Sequence, residues 1–254
     1  MNLSNLISPG LLGLIFTIIF VDLMIYFAVI GRKGARFSLR NIPAFSALRR
    51  SIGLAVEAGH RLHMSLGHGG VSDTRAASAL AGLTVLNRVA RSASISDAPP
   101  VATSGEAVVS ILSQDTLSNA YRAAGAEDQS AFASGQLSGL TPFSYAAGTL
   151  PVIYDQQVSV NILAGSFGSE VALITDAAER TGGLTLAGSD NITAQAVLYA
   201  SAQEPLIGEE LYASGAYLQA GPMHIASLRV QDIFRWVIIL VILLGVLLKL
   251  VGVL

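Results

Sequence analysis

The chain has 254 residues, a formal net charge of −2, no cysteine, and a composition that is 52% hydrophobic but only 13% charged. Soluble domains carry charge nearer about 25%, so the apolar excess calls for segments that face lipid. A near-neutral chain without basic clusters among aromatics offers nucleic acid no surface, and the lack of cysteine excludes disulfides, thiolate metal sites and a cysteine nucleophile.

From Leu11 to Ile30 the chain is apolar apart from Thr17, Asp22 and Tyr26. About 20 residues at 1.5 Å each match a hydrocarbon core about 30 Å thick. Residues 10–31 are therefore expected to form a first transmembrane helix. Arg32, Lys33, Arg36 and Arg40 follow the run while Met1 to Gly10 is uncharged, the reverse of a cleaved signal peptide, so the helix reads as a retained anchor. Residues 32–98 then form a basic linker and a helical pair. In the first helix Phe45, Leu48, Ile52, Ala55, Gly59, Leu62 and Leu66 recur every three or four residues. Gly67, His68, Gly69 and Gly70 stop it, and Asp73 is placed to cap a second helix to about Ala93.

Residues 99–228 alternate short apolar runs with helical patterns. Val101 to Thr103 leads into a helix ending at Gly125, residues 126–139 read as loop, and Pro142 opens a helix to about Asp155. Strands at Val158 to Ala164 and Leu184 to Ala187 each run through a glycine-serine turn into a helix, and Leu206 with Ile207 precedes a last helix from Glu209 to Leu218. Strand-helix alternation at this spacing predicts an α/β fold, a Rossmann-like three-layer domain with a short parallel sheet, preceded by the helical pair and flanked by one transmembrane helix at each end. The second span covers residues 235–254, broken by Lys249 and headed by Arg235 and Trp236. Basic residues flank the inner end of both spans, which by the positive-inside rule is expected to put the central domain in the cytoplasm and two spans in the membrane, with the lipid bilayer as partner.

Each span carries one charge, and an ionised carboxylate in hydrocarbon is costly. Asp22 is expected to pair with Lys249 of the same or a neighbouring subunit, with Tyr26 one turn away as a further donor. The turn Gly165-Ser166-Phe167-Gly168 lies after a parallel strand and before a helix, where backbone N–H groups can hold a ligand. It lacks the complete dinucleotide fingerprint, and the acids Glu106, Glu170 and Asp190 at the helix starts repel phosphate, so the crevice suits a cation or an amine. Ser104, Gly165, Ser166, Gly168, Ser189 and Glu209 are its candidate ligand-binding residues. Glu57, His60, His63 and His68 cluster in sequence, but no i, i+4 pair of metal ligands occurs among them. They read as a polar stripe, with His60 and His63 the alternative metal ligands. No catalytic residue is assigned and no cofactor is implied.

The string from Leu206 to Leu218, together with Ala81-Gly82-Leu83, Asn87-Arg88-Val89-Ala90, Phe143 to Gly148 and Gln231-Asp232, resembles the DUF6754 family of uncharacterised bacterial membrane proteins. The resemblance covers most of the chain. It implies an architecture, two spans around an α/β domain, and carries over no catalytic residues. The expected role is a non-enzymatic, membrane-anchored scaffold that homo-oligomerises or joins other membrane subunits. The alternative is a ligand-sensing or enzymatic α/β domain tethered to the membrane.

Overall fold

A computed structural model describes residues 9–32, 39–126 and 134–252. It divides into two compact units, one of residues 40–220 and one that joins the two ends of the chain.

In the central unit, helix α2 (Pro43–Ala58) starts with proline in its first turn and ends at Gly59, whose left-handed φ of 67° lets its N–H bond back to Ala55 and Val56. That cap is why the helix stops where apolar spacing alone predicts continuation to Leu66. Strand β1 (Arg61–Gly67) follows, and its period is two: Leu62, Met64 and Leu66 face one side, His63 and Ser65 the other. The expected helical pair is therefore two helices, α2 and α3 (Ala76–Ser92), separated by a strand of the sheet. The same residues satisfied an i, i+4 pattern by coincidence, since Leu62 and Leu66 fit both periods.

The remaining elements are β2 (Val101–Ser104), α4 (Ala107–Ala123), β3 (Ser134–Leu137), α5 (Pro142–Asp155), β4 (Val158–Ser166), α6 (Val171–Arg180), β5 (Leu184–Ser189), α7 (Ile192–Ser201), β6 (Glu204–Leu206) and α8 (Glu210–Tyr217). All six strands are parallel, in the order β3-β2-β1-β4-β5-β6. Strand β3 lies within the stretch expected to be loop, part of which falls outside the described residues. Its Ser-Gly-Gln-Leu sequence has no β-branched residue, and it is held by register with β2 and by α4, which approaches so closely that a Cβ on Gly135 would lie 2.2 Å from Ser113 Oγ.

Two cores flank the sheet. Phe45, Leu48, Met64, Leu86, Leu117 and Ile162 fill one face under α2, α3, α4 and α8. Tyr145, Ile153, Leu163, Phe167, Ile174 and Leu198 fill the other under α5, α6 and α7. This is the expected three-layer α/β fold. The two chain ends of the unit meet on one side, where Arg40 pairs with Glu210 and Phe45 stacks on Tyr217 at 4.9 Å.

The second unit contains α1 (Pro9–Arg32) and α9 (Pro222–Leu250). Segments Gly10–Gly31 and Pro222–Leu250 are long and apolar enough to cross a membrane. Lys33 and Arg36 of the basic linker lie outside the described residues. The helices pack through aromatic rings: Phe234 sits 4.7 Å from Phe16 and 6.0 Å from Phe20.

Candidate functional site at the sheet's switch point

In this strand order the chain leaves β1 toward β2 on one side, while β4 starts the opposite half. The crevice outside the carboxyl ends of β1 and β4 is where open parallel sheets place ligands. The loop Gly67-His68-Gly69-Gly70 crosses it. Gly67 has a φ of 70° and a Cβ there would lie 2.1 Å from Ser166 O, so only glycine fits. Two backbone bonds stitch the loop to its neighbours: Gly105 N–H donates to Gly67 O, and His68 N–H to Ser166 O, each at 2.8 Å.

This geometry fixes the His68 ring. Its edge meets the Tyr145 ring in a T-shaped contact at 4.7 Å, and its Nδ1 lies 3.4 Å from Glu170 Oε1. The Glu170 side chain is 2% exposed and the His68 side chain 12%. Glu170 Oε1 also accepts from Gly168 N–H at 2.8 Å. His68 Nε2 is buried and has no hydrogen-bond partner among the described residues. It faces Gly105, where a Cβ would come within 2.8 Å of it. With a carboxylate 3.4 Å from Nδ1 and a buried, unsatisfied Nε2, the His68 ring is the candidate group for bonding a ligand here.

Acidic groups ring the loop. Asp73 accepts from the N–H groups of Gly70 and Arg75, Glu106 Oε2 accepts from Val109 N–H at 2.7 Å as the cap of α4, and Asp190 Oδ2 lies 2.8 Å from Ser78 Oγ. A Cβ on Gly70 would touch both Asp73 and Glu106, and one on Gly69 would touch Ser78 and Ser166. With carboxylates already on the helix starts, the field here repels phosphate and attracts cations.

Beneath the loop lies a buried polar layer. The Tyr145 hydroxyl contacts Ser65 Oγ, lies 3.3 Å from Thr103 Oγ1 and accepts from Gly67 N–H at 3.2 Å. Burial raises its pKa above the usual tyrosine value, with the bonds to Ser65 and Thr103 opposing, so the hydroxyl stays protonated. His63 is wholly buried, with Nδ1 3.0 Å from Asn161 Oδ1 and Nε2 2.9 Å from Thr103 Oγ1. Burial pulls its pKa from 6.5 down to about 4, against a smaller upward pull from Asn161. It is therefore a neutral hydrogen-bonding core residue.

Of the expected ligand-binding residues, Ser104, Ser166, Gly168 and Ser189 lie along this carboxyl edge. Ser104 Oγ caps the Glu106 N–H, and Ser189 Oγ accepts from the N–H groups of Phe167 and Asn191. Gly165 sits inside β4, where a Cβ would lie 2.0 Å from Leu66 O; its role is close strand approach. Glu209 is exposed ahead of α8, beyond the last strand β6. His60 and His63 stand outside and within a strand rather than on a helix: His60 is exposed before the amino end of β1 and His63 is in its core. Among the described residues no group of His, Asp and Glu forms a metal cage. From sequence alone His68 belongs to a helix stop and to the polar histidine cluster, and Glu170 is a helix-start acid, so nothing pairs the two. The recoverable signal was a Gly-His-Gly-Gly turn after alternating Leu62, Met64 and Leu66.

An open cleft of about 620 Å³ lies at the opposite, amino edge, bounded by Leu54, Ala55, His60, Ser159, Gly183 and Gln203. Its walls carry no Asp, Glu, Lys or Arg, and they include the unsatisfied hydroxyl of Ser159. The converging acids and the unsatisfied His68 Nε2 are at the carboxyl edge, and chemistry rather than volume selects that edge as the site.

On α1, Asp22 and Tyr26 are exposed. Phe234 lies between the levels of Phe16 and Phe20, so in this antiparallel pair Asp22 is level with about Val230. Lys249 is farther along α9 by nineteen residues, about 28 Å at the helical rise. Among the described residues no ion pair joins the two, and the pairing within one chain is not formed at this register.

A family model described as "Domain of unknown function (DUF6754)" matches residues 8–254. No curated protein and no solved structure matches the chain.

Proposed function

Because this chain belongs to the DUF6754 family, whose model spans it nearly end to end, we propose that it is a membrane-anchored α/β protein that binds a small amine-bearing or otherwise cationic ligand at its switch point. The observation that carries this reading is the His68–Glu170 pair: a buried carboxylate orients the imidazole and leaves Nε2 unsatisfied within a ring of acids. Anchoring rests on the two apolar helices and places the bilayer around α1 and α9, with the α/β unit on the cytoplasmic side.

The test is thermal stability of the full chain in nanodiscs against a panel of small primary amines and amino acids, with nucleoside phosphates as contrast. At least one amine is expected to raise the midpoint, and His68→Asn and Glu170→Gln to abolish the rise. Stabilisation by nucleotides alone, or none by any amine, contradicts the reading.

Self-association is a second reading, the scaffold role in its narrowest form. It is favoured by one observation: Ile18, Ile25 and Val29 are each about half exposed, at 51%, 49% and 46%, on the face of α1 turned from α9.

A further inference from the structure

On α1, Phe16 and Phe20 meet Phe234 of α9. Ile18, Asp22, Ile25 and Val29 fall two positions away, about 200° around the helix, and form a continuous outer stripe with an acid at its centre. Asp22 thus points away from the α9 of its own chain. The register nevertheless sets it level with the charged half of α9, which carries Arg229, Asp232 and Arg235.

We infer that this stripe is the docking face for α9 of a second copy of the chain, with Asp22 paired to the neighbour's Arg235. The inference rests on the anchoring reading above. Subunits related by rotation about the membrane normal keep every residue at its own depth, so Asp22 meets in a neighbour what lies level with it. That excludes Lys249, about 28 Å away along the axis, and admits the arginines. Side chains on a helix lean toward its amino terminus. On these antiparallel helices the lean brings Asp22 and Arg235, five residues or about 7.5 Å apart in level, toward one another, and carries Arg229 away. Arg235 is accessible: its side chain is 53% exposed while it contacts Asp232 at 3.7 Å.

Lipid alone does not cover the stripe at acceptable cost. A bilayer centred on the apolar run of α1 draws Asp22, Arg229, Asp232 and Arg235 together into hydrocarbon, where charges are costly. A bilayer centred on residues 236–250 leaves Ile25 and Val29 facing water. A neighbour's α9 resolves both placements, supplying apolar packing along the stripe and the counter-charge at its centre.

The natural absence of cysteine permits a direct test. Two differently tagged full-length chains are co-expressed, one carrying Asp22→Cys and the other Arg235→Cys, and treated in isolated membranes with a short bis-maleimide cross-linker, which spans the offset in level that a disulfide cannot. A cross-linked dimer bearing both tags is expected, at least tenfold above the yield from Asp22→Cys with Lys249→Cys. No mixed dimer from chains that resist alkaline-carbonate extraction, or a Lys249 dimer of equal yield, overturns the docking face. Release of both chains by carbonate overturns the anchoring reading instead, and the docking face with it. Asp22→Arg combined with Arg235→Asp serves as the folding control: restored co-purification of two tags lost in either single variant supports the pair, and its absence counts against it.

Discussion

His63 illustrates how one buried side chain ties the sheet to pH. Its folded pKa of about 4 lies below the ordinary 6.5, so between those values the unfolded chain binds a proton that the native chain refuses. Its contribution is present above about pH 6.5 and is lost as pH falls toward 4, on the order of 3 kcal/mol in full. Urea denaturation of the full chain in detergent at pH 7 and pH 5 is expected to show the loss, and His63→Gln to flatten the dependence. Tyr145 acts beside it. Removing its hydroxyl by Tyr145→Phe strands the Ser65 hydroxyl and the Gly67 N–H in a dry layer, while Thr103 keeps its bond to His63, at about 1–3 kcal/mol for each group left unsatisfied. The same measurement at pH 7 checks this, and a change under about 0.5 kcal/mol contradicts the network.

At the scale of elements, glycine sets how closely segments approach. A Cβ on Gly148 of α5 would lie 2.0 Å from Ser138 O, so Gly148→Ala must push the helix off the loop after β3. The expected destabilisation is about 1–3 kcal/mol, read as a lowered denaturation midpoint. Legibility in the sequence also divides by element. Strands β4 and β5 were plain because continuous apolar runs ended in small-residue turns, and α5 was marked by the Thr141-Pro142 start that caps it. Strand β1 was not, because a seven-residue segment with apolar groups at alternate positions also places Leu62 and Leu66 one helical turn apart. Only the left-handed Gly59 breaks the tie, and conformation is not written in residue type. Strand β3 was invisible for another reason: Ser-Gly-Gln-Leu has no strand preference of its own, and its neighbours impose it. The site inherited the first error. With β1 read as helix, His60, His63 and His68 looked like a cluster, whereas a strand spreads them along its length by about 26 Å, and only the last reaches the crevice.

In the whole molecule, an α/β unit with a polar, acid-ringed crevice is joined to a helical pair whose outer face carries Asp22. On the function proposed above, ligand enters at the carboxyl edge through His68, although an open cleft lies at the amino edge beside His60. Each edge thus carries its own histidine reporter, and His63 is an internal control sealed in the core. The most direct measurement is histidine-ring NMR of the full chain in nanodiscs, titrated with the amine that most raises its thermal midpoint. The His68 resonances are expected to move saturably while those of His60 and His63 stay fixed, and Glu170→Gln is expected to abolish the movement. Saturable movement of His60 with His68 unchanged would contradict the proposed function.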